Sequence, residues 1–187
     1  MPIIIEALYL VAPVARLKRR LIGGAATFEH LAPNTTFVSD GEVAGCGFMS
    51  LADANSFALK LGELGLRLSQ PDADSDLVLV DMRRGVIGPS TWPLFEKVPA
   101  PGYPGFTLAT LRLRDGESTE LKGFEGWDIE SSINFQEQRG DLAHPDDLEF
   151  IGTTDGVDTY RHKLTGNTYY SGRSRSKKLR DQRGPTA

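Results

Sequence analysis

The residues able to do chemistry are few and scattered. The chain has one thiol, Cys46, set between Gly45 and Gly47, and three imidazoles, His30, His144 and His162. A cysteine nucleophile needs a base to make it a thiolate, commonly a histidine beside it in space. No histidine lies near Cys46 in sequence, and free cysteine is among the most buried residue types, so a small core residue is expected there. These four residues fall at no zinc-ligand spacing. Asp141, His144, Asp146 and Asp147 form the nearest cluster, and a solvated turn is the expectation for it. Gly41, Gly45 and Gly47 lack both the Lys-Ser/Thr ending of a phosphate loop and the dinucleotide glycine spacing. The expectation is therefore no catalytic residue, no metal and no cofactor.

Two groups of residues remain candidates for binding. Asp81-Met82-Arg83-Arg84-Gly85 places charge at the end of a buried apolar run, Leu77 to Val80, and α/β sites sit at such strand ends. Asp81, Arg83, Trp92 and Glu96 are the first residues to suspect of a small-molecule site. The other group is Tyr169 and Tyr170. Adjacent residues on a strand face opposite ways, so at least one ring is expected at the surface, available to a partner.

The elements that must carry these residues read most clearly in the first half. Ile3 to Val11 is β-prone. Val14, Leu17 and Leu21 recur at helical spacing after Pro13, and Gly23-Gly24 stops that helix. A short helical piece spans Phe28 to Ala32. Thr35 to Ser39 and Glu42 to Met49 flank Asp40-Gly41, a strong hairpin signal. Ser50 with Asp53 three residues on opens a helix whose apolar stripe is Ala54, Phe57, Ala58, Leu61 and Leu64. Leu77 to Asp81 follows as a central strand. The order β-α-β-β-α-β is that of the ferredoxin-like arrangement.

The second half differs in texture. Gly85 to Gly105 holds five prolines and four glycines and reads as an irregular connection. Phe106 to Arg114 alternates as a strand. Phe124, Trp127, Ile129 and Ile133 are expected anchors of the stretch after it. Three short strands then follow, at Leu148 to Gly152, Thr159 to Leu164 and Thr168 to Ser171. The expected fold class is thus α+β: a ferredoxin-like βαββαβ unit over 1–84, a connection over 85–105, and a β-rich antiparallel unit over 106–172 packed on the first. Residues 173–187 form a basic tail.

Charge divides along the same line. Residues 173–187 carry six basic residues and one acid, net +5, which leaves 15 basic and 24 acidic residues, net −9, in the body; together these give −4. Phosphate would be repelled by that body, so nucleic acid is expected only as a weak ligand of the tail. One cysteine allows no internal disulfide and points to a reducing compartment. Ala7 to Val14 is too short to span a membrane. A cytoplasmic location is the expectation.

The stretch from Asp40 to Asp53 is similar to segments of bacterial proteins, a resemblance that implies no function. An acidic, single-domain body without catalytic residues suggests a non-catalytic protein-binding module, of the kind an immunity protein against a basic toxin would be. The alternative is a small-molecule-binding protein or enzyme with a site between the two halves, near Asp81 to Glu96.

Overall fold

The computed structural model describes residues 1–68, 75–116, 120–138, 148–154, 157–163 and 168–173. It is a mixed α+β structure with several antiparallel sheets and, among the described residues, four helices. The central sheet has five strands in the order β3-β4-β2-β5-β6: Val38–Ser39, Val43–Phe48, Leu8–Pro13, Val78–Asp81 and Gly85–Ile87. All its pairings are antiparallel.

Strand β2 shows why the sheet is central. Its six residues are all buried, because each face meets a different layer. Leu8, Leu10 and Ala12 join a cluster with Val14 and Leu17 of α1 (Val14–Arg20), Phe28 of α2 (Ala25–Leu31), and Phe57 and Leu61 of α3 (Leu51–Glu63). Tyr9 and Val11 point the other way, into a cluster with Ala109 and Leu111. These two belong to β8 (Thr107–Leu113), the middle strand of a second sheet between β1 (Ile3–Ile4) and β7 (Pro93–Pro99). A strand buried on both faces reads as continuous apolar sequence, which is how this segment reads.

The strand expected over Ile3 to Val11 is therefore two strands in two sheets. Ile3 pairs with Leu111 and Ile4 with Thr110, whereas Leu8 pairs with Phe48 and Asp81. The changeover is made at Ala7, which sits at φ 61°. Its carbonyl accepts from the Met82 amide at 2.9 Å, and its own amide donates to the Met82 sulfur at 3.2 Å. A left-handed alanine is sterically disfavoured, and these long-range contacts hold it.

The stretch over 85–105 also departs from expectation, since it contains β6 and β7. Pro93 and Pro99 stand at the two ends of β7, an edge strand. An edge strand tolerates a missing N–H on its free side, so proline does not exclude a strand there. After Gly105 the chain supplies β8, then helix α4 (Ile129–Gln138), then a third sheet in the order β11-β10-β9. Its strands are Leu148–Thr154, Val157–His162 and Thr168–Arg173. This sheet meets the body where Leu148 and Tyr160 pack on Ala7 and Met49. The C-terminal strands thus form two further sheets and do not extend the first. Among the described residues no helix is long and apolar enough to cross a membrane.

Candidate functional site: the two sides of helix α3

Helix α3 is built by local chemistry. The Ser50 hydroxyl accepts from the Asp53 amide at 3.1 Å and donates to Asp53 Oδ2 at 2.7 Å. Ala54, Phe57, Ala58 and Leu61 are buried against β2 and β4. Leu64, one turn further, stands outside that stripe at the helix C-cap and is 45% exposed. The helix leaves a hollow on each side of the buried stripe.

The first hollow is a cleft of about 340 Å³ between α3, the segment after α2, the end of β4, and strands β9 and β10. Asp53, Ser56, Phe57 and Lys60 line it from α3, a spacing of i, i+3, i+4 and i+7 that puts all four on one helix face. Phe48 lies opposite, its ring centroid 5.6 Å from that of Phe57. Tyr160 closes one end: its hydroxyl donates to Asp53 Oδ2 at 2.8 Å, and its ring meets Phe150 edge-on at 5.4 Å. Asn34 completes the wall and is held rigidly. Its amide donates to the Gly47 carbonyl at 2.8 Å, while its Oδ1 accepts from the Thr36 amide and hydroxyl and from the Cys46 thiol. Cys46 itself is fully buried, as its surroundings in sequence suggest.

The second hollow is open and apolar. Ala58, Leu59, Gly62, Leu66 and Leu68 line it, with Asn55 and Glu63 at the rim, and it encloses about 670 Å³. Leu59 is 72% exposed.

The residues suspected from sequence fall elsewhere. Asp81 is 1% exposed and Oδ1 accepts from the Arg83 and Arg84 amides at 2.7 and 3.0 Å. It thereby shapes the turn from β5 to β6, with the Arg83 side chain outside. The Trp92 indole donates to the Ser75 carbonyl at 3.2 Å, and its ring packs in the cluster between the central sheet and the β1-β8-β7 sheet. Glu96 is exposed on β7, its carboxylate 3.3 Å from the Arg112 guanidinium. Its neighbour Phe95 points inward, so Glu96 faces away from the central sheet that carries Asp81. The structure brings Asp81 and Arg83 together in one turn and puts Glu96 on another face. Tyr169 and Tyr170 lie on β11, opposite Tyr160 and Thr159, and their side chains are outside the described residues. So are the Asp141 to Asp147 cluster and the tail beyond Arg173. Among the described residues no group of three or more His, Cys, Asp or Glu side chains is placed to hold a metal ion.

Asn34, Lys60, Phe150 and Tyr160 were not legible as site residues. The α3 spacing was the one available signal, and its polar members read as the solvated side of an amphipathic helix. Comparison with protein-family models, with curated proteins and with solved structures finds no match for this chain.

Proposed function

We propose that this protein is a non-catalytic binding module that takes a basic protein as its partner, in the manner of an immunity protein. The observation that carries the reading is the open apolar groove beside α3, where Leu59 stands 72% exposed. Apolar patches with polar rims mark interaction sites, and Glu63 and Asn55 supply that rim. The body outside 173–187, with 24 acids against 15 bases, complements a basic surface and would speed association with it. The order β3-β4-β2-β5, with α1, α2 and α3 on one face, supports reading the scaffold as ferredoxin-like. A single buried thiol suits a cytoplasmic setting. A small-molecule site near Asp81 to Glu96 draws less support, because Asp81 is engaged in its turn.

The test is affinity capture from cells that carry the protein. The wild type retains a basic protein at about 50 mM salt and releases it at about 500 mM, where charge interactions are screened within a few ångströms. Leu59→Glu abolishes capture while leaving the melting temperature unchanged. Capture that ignores salt, or that survives Leu59→Glu, sinks the reading.

A further inference from the structure

The cleft on the other side of α3 has a chemistry of its own. Asp53 is half-buried, and its Oδ2 already accepts from Ser50 and Tyr160. Its Oδ1 has no hydrogen bond or ion pair among the described residues. The same cleft is lined by the rings of Tyr160 and Phe150, 5.4 Å apart, and by those of Phe57 on the same helix face and Phe48 opposite it, 5.6 Å apart. A half-buried carboxylate oxygen with an unused acceptor site, in a cleft walled by aromatic rings, is a seat for an ammonium ion, which gains a charge-assisted hydrogen bond there. Apolar walls then suit the stem behind the charge.

Lys60 sets the other end. It lies seven residues from Asp53 on the same helix face, roughly 10 Å along the axis. It has no hydrogen bond or ion pair among the described residues. A second cation on the ligand would meet Lys60, whereas a carboxylate would pair with it. We infer that the cleft binds a small organic amine with an apolar stem, its ammonium on Asp53 and its far end neutral or anionic. A volume of about 340 Å³ falls within the range of small-molecule sites. The site is independent of a protein partner at Leu59, since it opens on the opposite side of α3.

Four six-carbon probes separate the terms: 6-aminohexanoate, hexylamine, 1,6-diaminohexane and hexanoate, titrated calorimetrically into the intact protein. Hexylamine and 6-aminohexanoate bind with Kd of about a millimolar or tighter, within the ligand efficiency of molecules this small. Diaminohexane binds more weakly than 6-aminohexanoate, and hexanoate at least about tenfold more weakly than hexylamine. Asp53→Asn keeps the shape and lowers amine affinity about tenfold or more, the size of a lost charge-assisted hydrogen bond. Asp53 also contacts the helix cap, so the exposed Lys60→Glu provides a second reading, reversing the preference between 6-aminohexanoate and diaminohexane. Equal binding of hexanoate and hexylamine overturns the inference. So does the absence of amine binding, or a Lys60→Glu protein with the wild-type order of preference.

Discussion

At the scale of single residues, Tyr9 shows how tightly the middle of the molecule is filled. Its ring is 1% exposed, and its hydroxyl is buried with no hydrogen-bond partner among the described residues. Burial first, then the negative charge available at Glu6 and Cys46, raises its pKa well above the usual 10. A buried hydroxyl without a partner costs about 1–3 kcal/mol relative to solvation. Tyr9→Phe is therefore expected to stabilise the protein by about 1 kcal/mol at neutral pH, measured by urea unfolding. The pH dependence has a definite sign. The folded state holds the proton more firmly than the unfolded state, so this contribution is intact below pH 10 and is lost as pH rises above it. Alkaline unfolding should begin there, and Tyr9→Phe should move it to higher pH. The same ring leaves no room at Gly47, where a β-carbon would sit 2.7 Å from a ring carbon of Tyr9 and 3.1 Å from the Thr36 hydroxyl. Gly47→Ala should cost about 1–3 kcal/mol by overpacking, and a neutral result would show that Tyr9 can move aside.

At the scale of elements, legibility followed the range of the interactions. Helix α3 and the Asp40-Gly41 hairpin were readable because their determinants are local. Ser50 caps from three residues away. The Asp40 carboxylate accepts from the Glu42 and Val43 amides within the turn itself. Ser50→Ala should accordingly destabilise by about 1 kcal/mol through loss of the cap. It should also loosen Asp53 and Tyr160, visible as faster amide exchange in β10. The break at Ala7 was not readable, since the partners that dictate it lie at Met82 and Leu111. Strand β7 was hidden by its prolines, which become compatible with a strand only once it is known to be an edge. The cleft was hidden for the same reason as Ala7: Tyr160 reaches Asp53 from 107 residues away. Helix periodicity could show that Asp53, Ser56 and Lys60 share a face, but not what stands opposite.

At the scale of the whole molecule, β2 is common to two cores. Leu10 faces the helices and Val11 the second sheet. Both tryptophans report from the second-sheet side, Trp92 within the cluster between the sheets and Trp127 on the outer face of β1 and β8. Helical circular dichroism reports chiefly from the opposite layer. Leu10→Ala should cost about 2–5 kcal/mol and shift the circular-dichroism and tryptophan-fluorescence transitions together, since neither layer keeps its core without β2. Separate midpoints would show that the two layers unfold independently.

The pairing of β1 has a consequence on the ribosome. Ile3 and Ile4 find their strand partners at Leu111 and Thr110, and Ile3 also bridges to Lys122. Translation proceeds at about 5–20 residues per second, so roughly 5–20 s separate synthesis of the run Ile3-Ile4-Ile5 from synthesis of the strand that covers it. During that interval β2 can pair with β4 and then β5 while the isoleucines beside it stay bare. Nascent-chain chaperones that hold apolar segments would find their longest opportunity at this point.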